Sequence, residues 1–505
     1  MIILGFALWA STVWMTGFLL VSATPARTLP RGEIAAVAGV VGSAALPLML
    51  FLLNWLTGWP IISQGVIGDI FIGALTLTEA ALLARLTLGK PVRPGAGADA
   101  AKNRTRARRR PGSNRAGDAV LIAVLSVALA AFYYWLWRGV RRPIFGWDEY
   151  SFWLYAAKAL LVHGGSGSAM VHDPYASYPL SFPYLVAWCY RLTGGLSIER
   201  AKWVTPAVTT AFFWSLYMVM RRFRVRPALA LLGVVLAAWG SQMILWYNLI
   251  AYGEMAYVCV YVLALLYAAS WLNVREPAHR SADLFMFALL LGLSAFVRVD
   301  GVYVAIMTLI ILMVVGGARQ VRQRGQNRRL AAFALVFPIV CWEGFKLAHH
   351  VRAGWTSRIT LGELGVRLQP AFLSRVVAAV WFTMTNFTVY PIVLLLFFMT
   401  VMTVVSRNRI TLFLVLVAYA QIVYLLAAYV SVFSVFEALH ASSLDRYMLR
   451  IDPITAAAFI IWLASASDKR PAVAAQTGET EAGETADPEP IRSSLARRRE
   501  RPRRE

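Results

Sequence analysis

Asp148 and Glu149 stand side by side just after a long apolar run, within Phe145-Gly-Trp-Asp-Glu-Tyr-Ser-Phe-Trp153, and Lys158 follows ten residues after Asp148. Ionised side chains beside hydrocarbon are costly to desolvate, so an adjacent acidic pair there calls for a reason. One reading is chemical. A carboxylate at a membrane rim can take a proton from a hydroxyl or hold a metal, and the surrounding aromatics suit a sugar face or an interfacial belt. The other is architectural, with either carboxylate capping the first amides of an interfacial helix.

Further along, Gly292-Leu-Ser-Ala-Phe-Val-Arg-Val-Asp-Gly301 interrupts an apolar run with Arg298 and Asp300. Charges at such a break need partners or water. They either face a ligand or form an ordinary hairpin turn in which the two pair with each other. Glu254 opens another apolar stretch, and Arg446 precedes the last one. Asp69 and Glu79 fall inside the third apolar span, and the sequence assigns them no role.

The elements that must hold these residues are membrane helices. Hydrophobic residues make up 59% of the 505-residue chain and charged residues 15%, and the mean hydropathy is +0.60. Many windows reach the roughly 20 apolar residues needed to cross a bilayer. The reading is an all-α polytopic membrane protein with about thirteen crossings, near 1–22, 34–58, 61–88, 118–138, 203–220, 227–246, 251–272, 283–297, 301–316, 330–347, 388–405, 410–430 and 451–467. Cys189, Cys259 and Cys341 are isolated, which points to neither a disulfide framework nor a thiolate metal site.

Charge orients the chain. The net charge of +23 does not imply nucleic acid, because the excess lies in loops and in the tail, where a positive-inside bias accounts for it. The linker Lys90–Arg115, with Arg104, Arg106 and Arg108–Arg110, is expected to be disordered and cytoplasmic. Counting outward places Arg221–Arg226, Arg319–Arg329, Arg407–Arg409 and Arg497–Arg504 on the same side. Asp148, Glu149, Lys158, Glu254, Arg298, Asp300 and Asp445-Arg446 then fall on the outer side, with the 348–378 loop and five of the six histidines. Outer cations, among them Arg352, Arg358, Arg367, Arg375, Arg446 and Arg450, are either loosely sorted charge in long loops or the mark of an anionic ligand such as a lipid phosphate.

Two short segments separate Asp148 from the next crossing. Phe152–Val162 predicts a short helix stopped at His163-Gly164, and Tyr178-Pro-Leu-Ser-Phe-Pro-Tyr184 predicts the start of another. Both are expected to lie in the outer interface as jaws without traversing it.

In this order these residues resemble bacterial polyprenyl-phosphate-dependent membrane glycosyltransferases of the GT-C superfamily, in a poorly characterised branch. The branch's first outer loop is matched by Asp148, Tyr150, Trp153 and Lys158, then Tyr178-Pro179, with Ala156 in place of one of its two lysines. Ala251-Tyr-Gly-Glu254, Arg298-Val-Asp-Gly301 and Arg446-Tyr447 with Pro453 match its later elements. The resemblance covers about 118–467, leaving a three-helix segment 1–89, a basic linker 90–117 and a tail 468–505 outside it.

What the resemblance implies is transfer of a sugar from a polyprenyl-phosphate donor to an extracytoplasmic glycan, lipid or protein, by a multi-pass protein of the cytoplasmic (inner) membrane. Asp148 would be the base, with Glu149 and Glu254 as alternatives. Lys158, Arg298 and Arg446 would face the phosphate, and Asp300 and Tyr178 would bind substrate. A divalent cation, Mg or Mn, is compatible with the oxygen ligands but not required. The rival class is a transporter or flippase of a lipid-linked or anionic substrate, which also needs intramembrane acids and broken helices.

Overall fold

Long apolar windows with few helix breakers become helices, and helices with their polar backbone satisfied internally are what a bilayer accepts. A computed structural model of the chain describes residues 2–62, 115–141, 146, 149–167, 178–273, 279–317, 328–351 and 360–467. The chain divides into two units, Met1–Ala464 and Ser465–Glu505. Of the second, only residues 465–467, the end of the helix that begins at Leu444, are described.

The helices are α1 (Ile2–Ser22), α2 (Arg31–Thr57), α3 (Arg115–Val140), α4 (Leu154–His163), α5 (Ser181–Thr193), α6 (Ile198–Lys202), α7 (Val204–Arg222), α8 (Pro227–Trp239), α9 (Gln242–Asn248) and α10 (Gly253–Leu272). They continue as α11 (Arg280–Val297), α12 (Gly301–Gly316), α13 (Arg328–Ala348), α14 (Leu361–Arg367), α15 (Pro370–Met384), α16 (Ile392–Ser406), α17 (Arg409–Ser431), α18 (Val435–His440) and α19 (Leu444–Ser467). Among the described residues there is no strand. Nine helices there are long and apolar enough to cross a membrane, counting α6 and α7 as one, or ten if α8 and α9 form one bent span. α12, α15 and α16 are apolar but shorter. The protein is a multi-pass, all-α membrane protein.

Four elements differ from the sequence reading. The crossing expected at 227–246 is broken, with α8 and α9 meeting at 74°. Ser241 between them is extended (φ −150, ψ 158), which ends one helical path and starts another. The outer loop expected at 348–378 contains α14 and the start of α15, whose first turn is set by Pro370. The crossing expected to begin at 388 begins at Ile392, after Pro391. The last helix starts at Leu444 and runs through Pro453, so Arg446 and Arg450 lie on a helix and not in a loop. The expected third crossing at 61–88 lies almost wholly outside the described residues, as do the basic linker and the tail.

α10 and α11 form the centre. They pack on each other, α11 packs on α13, and α2, α7 and α10 pack together. α10 is buried along nearly its whole length, so its sequence is apolar all round and shows no amphipathic stripe. Charged groups pin both ends of this pair. At one end Arg222 of α7 reaches Glu33 of α2 at 3.2 Å and Asp283 of α11 at 2.6 Å. Tyr267 donates to Glu33 and Ser270 to Asp283, both at 2.8 Å. The other end carries the candidate site. Glu254 and Tyr267 are 13 residues apart on α10, about 20 Å at 1.5 Å per residue, so the two clusters stand at opposite ends of the bundle.

The two short segments of the first loop are helical as expected. A single wide turn, Glu149–Trp153, leads into α4, which Gly164 ends in the left-handed region (φ 72). α5 is almost entirely buried, against α1, α2 and α4.

Candidate active site

The α11–α12 hairpin begins the site. α11 ends at Val297, Arg298 is extended, and Gly301 N–H donates to the Arg298 carbonyl at 3.0 Å. The turn is tight: a Cβ on Gly301 would lie 2.6 Å from Ala295 Cα and 2.8 Å from the Ser294 carbonyl oxygen. Only glycine fits, and the close return turns Arg298 and Asp300 to the same side.

There they join a ladder. Arg298 donates from Nε to Asp300 Oδ1 and from Nη1 to Glu254 Oε1, each at 2.8 Å. Arg450 of α19 donates from Nη2 to Asp300 Oδ2 at 2.7 Å and from Nη1 to Gln421 Oε1 at 3.1 Å. Its guanidinium lies 4.5 Å from the ring centroids of both Tyr257 and Tyr447, which adds cation–π attraction to the ion pair. Gln421 continues to Tyr261 at 3.1 Å, and Tyr261 to Thr308 at 2.8 Å. Glu254, Arg298, Asp300 and Arg450 are all buried.

Electrostatics keep the Arg298–Asp300 pair at the hairpin ionised. Burial alone would raise the Asp300 carboxyl, but Arg298 and Arg450 outweigh it and hold the group well below the usual carboxylate range. Burial acts the opposite way on Arg298, where Asp300 and Glu254 win and hold the guanidinium charged. Removing one member of such a buried set leaves its partners uncompensated, at a cost of about 3–5 kcal/mol.

Arg446, one turn before Arg450, differs. Its Nη1 lies 3.7 Å from Glu254 Oε1 and its side chain is 26% exposed. In this cluster the two carboxylates of Glu254 and Asp300 face the three guanidiniums of Arg298, Arg446 and Arg450. Arg446 is the member that solvent reaches, with Tyr247 and Asp445 also beside it.

The first loop is tied to this cluster by its second carboxylate. Glu149 is fully buried, and its Oε1 accepts the Ala251 N–H at 2.9 Å. Ala251 opens the Ala251-Tyr-Gly-Glu254 stretch, so the two acidic motifs of the sequence meet here. Buried Lys202 is within electrostatic reach of Glu149. Trp153 fills the space over Gly253, where a Cβ would meet its ring at 2.9 Å. Half-buried Tyr178 packs tilted against Phe152 and edge-on to Trp153, with centroids at 5.3 and 6.0 Å, and it is close enough to Arg298 to bear on its charge.

The residues singled out from the sequence therefore fall into three groups. Glu254, Arg298, Asp300, Arg446 and Tyr178 come together, with Glu149 bonded three residues before Glu254. Lys158 is exposed on α4, and nothing among the described residues ties it to the cluster. Asp148 lies outside the described residues. Tyr257 and Gln421 were not anticipated, while Arg450 was read only as one of the outer cations and Tyr447 only as part of the Arg446-Tyr447 match. The spacing Arg446-x-x-x-Arg450 is the signal that places Arg450 in the cluster, since residues four apart share a helix face.

Among the described residues no group of three or more His, Cys, Asp or Glu side chains could hold a metal ion. Glu254 and Asp300 are each committed to arginines, so these two do not fit Mg or Mn.

No family model matches the chain, and neither does any curated protein. Among solved structures the chain is similar to the crystal structure of ArnT from Cupriavidus metallidurans bound to undecaprenyl phosphate, at 15% identity and a TM-score of 0.44. The likeness covers 71% of this chain and 61% of that one, so less than two thirds of the ArnT structure is spanned.

Proposed function

We propose that the chain is an integral membrane glycosyltransferase that moves a sugar from a polyprenyl-phosphate donor to an extracytoplasmic glycan, lipid or protein. The observation that carries this reading is the buried Glu254–Arg298–Asp300–Arg450 ladder with the part-exposed guanidinium of Arg446 at its edge. A rigid set of charges beside one accessible guanidinium suits a phosphate ester whose charge grows as it leaves. The ordered motifs resembling the GT-C superfamily support the same reading.

In the reaction the acceptor hydroxyl gives its proton to Asp148 as its oxygen bonds to the anomeric carbon. The bond from that carbon to the phosphate oxygen breaks, and the electron pair stays on the polyprenyl phosphate. Arg446 faces that phosphate. Arg298 and Arg450 act through Asp300 and Glu254 to hold the geometry, and Lys158 on α4 is a further cation. Glu149, bonded to Ala251, ties the first loop to the start of α10. The site faces the extracytoplasmic side of the inner membrane, because the Arg221–Arg226 loop adjoins the opposite cluster.

The 74° break between α8 and α9 favours the transporter or flippase as a second reading, since broken spans line substrate paths in transporters. Purified protein in vesicles, given polyprenyl phosphate carrying a labelled sugar, separates the two. Release of free polyprenyl phosphate that depends on acceptor is the expected result. Movement of intact donor between leaflets without cleavage would overturn it.

A further inference from the structure

A second buried carboxylate stands on the other face of α19. Asp445 and Asp452 are seven residues apart and share a face that points away from Arg446 and Arg450. Tyr390, just before α16, donates to Asp445 Oδ1 at 3.4 Å. Asp452 is fully buried, and neither of its carboxylate oxygens makes a hydrogen bond among the described residues. It sits at the break between α8 and α9: a Cβ on Gly240 would lie 3.3 Å from Asp452 Cβ. The Ser241 hydroxyl is close enough to act on the carboxylate, although it completes no hydrogen bond there. No Lys or Arg among the described residues pairs with Asp452.

Further oxygens belong to the same stretch of α19 and to the same break. Thr455, one turn along α19, is buried and its hydroxyl also lacks a hydrogen bond among the described residues. Pro453 has no N–H, which leaves the Leu449 carbonyl without its helical donor. The 13-residue α8 ends here, and the last carbonyls of a helix are unpaired and carry its negative dipole end. The Gly240 carbonyl accepts Ile392 N–H at 3.3 Å and Gln242 N–H reaches the Val389 carbonyl at 3.3 Å, fixing both sides of the break to the turn before α16.

We propose that Asp452, Ser241 and Thr455, with the carbonyls freed at the α8–α9 break, bind a small monovalent cation, sodium. Three physical arguments converge on that class. An isolated carboxylate in hydrocarbon is costly until a positive charge joins it. Oxygen-only donors select a hard cation, and a single carboxylate is neutralised by one charge, whereas a divalent ion would leave an excess buried. Helix breaks that expose carbonyls are where membrane proteins coordinate sodium. Eight residues from the start of α19, the site is about 12 Å along the helix, so the ion would brace the bent span beneath the catalytic ladder. The proposal is independent of the glycosyltransferase reading.

The test is thermal unfolding of the purified full chain in detergent, titrated with sodium chloride against potassium or choline chloride at constant ionic strength and pH. Sodium is expected to raise the midpoint by a few degrees, saturably, where choline does not. Asp452→Asn should abolish the sodium response, and Ser241→Ala should shift it to roughly tenfold higher sodium. An equal rise with choline, or an unchanged sodium response in both variants, overturns the site. So does a wild-type midpoint that ignores sodium but moves with pH in a way Asp452→Asn removes, because the carboxylate then carries a proton. If Asp452→Asn does not fold, the wild-type comparison and Ser241→Ala decide the question.

Discussion

Arg446 and Arg450 are one turn apart on the same helix, yet the side chain of Arg446 is 26% exposed and that of Arg450 only 1%. Arg450 is bonded to Asp300 and Gln421 and enclosed by Tyr257 and Tyr447. Arg446 lies 3.7 Å from Glu254, with Tyr247 also in reach. One guanidinium is sealed among the helices it joins, and the other keeps a face open to solvent.

That division separates two mutations that would look equivalent in the sequence. Arg450→Ala should cost about 3–5 kcal/mol by stranding Asp300, seen as a lower unfolding midpoint and less folded protein in membranes. Arg446→Ala should fold normally and lose donor affinity, with Arg446→Lys recovering part of it because the planar fork is lost but the charge is kept. Equal stability loss in both would contradict the assignment.

The ladder should behave as one unit. In a double-mutant cycle of Glu254→Gln and Arg298→Gln, the coupling is expected to be about 0.5–3 kcal/mol, read from denaturation midpoints in detergent. Additive effects would mean that the 2.8 Å contact between them contributes little.

Asp148 and Glu149 should part in the same way. Asp148→Asn keeps its size but removes the base, and is expected to lower the transfer rate about 100- to 10,000-fold without unfolding the protein. Glu149→Gln weakens the bond that holds Ala251 at 2.9 Å, so stability and rate should fall together. Transfer rates normalised to folded protein make the comparison. Full activity in Asp148→Asn would move the base to Glu254.

Topology has its own test. His163 at the end of α4 is exposed, and the native Cys189, Cys259 and Cys341 are buried, so labelling reports on introduced thiols. A cysteine at 163 should react with an impermeant reagent from outside, and one at 105 only from inside. Reaction of both from one side would reverse the orientation of the site.

The residue types that carry chemistry, and the helices that bear them, were legible in the sequence because their signals are local. Hydropathy windows mark α1, α2, α10, α11 and α17. The Arg298–Gly301 break marks the hairpin, and the pairing of Arg298 with Asp300 is one of the two readings that turn allowed. His163-Gly164 marks the end of α4. The decisions made only in three dimensions concern partners far apart in the chain. Glu149 bonds Ala251 across 102 residues, and Arg450 bonds Asp300 across 150. Which cation is sealed and which is open depends on how α19 is rotated against α10 and α12, and Pro453 concealed that helix's true start. Ser241 reads as an ordinary residue of an apolar span until Asp452 is brought against it. A side chain's type follows from its codon, but its charge environment is set by whichever distant helix packs over it.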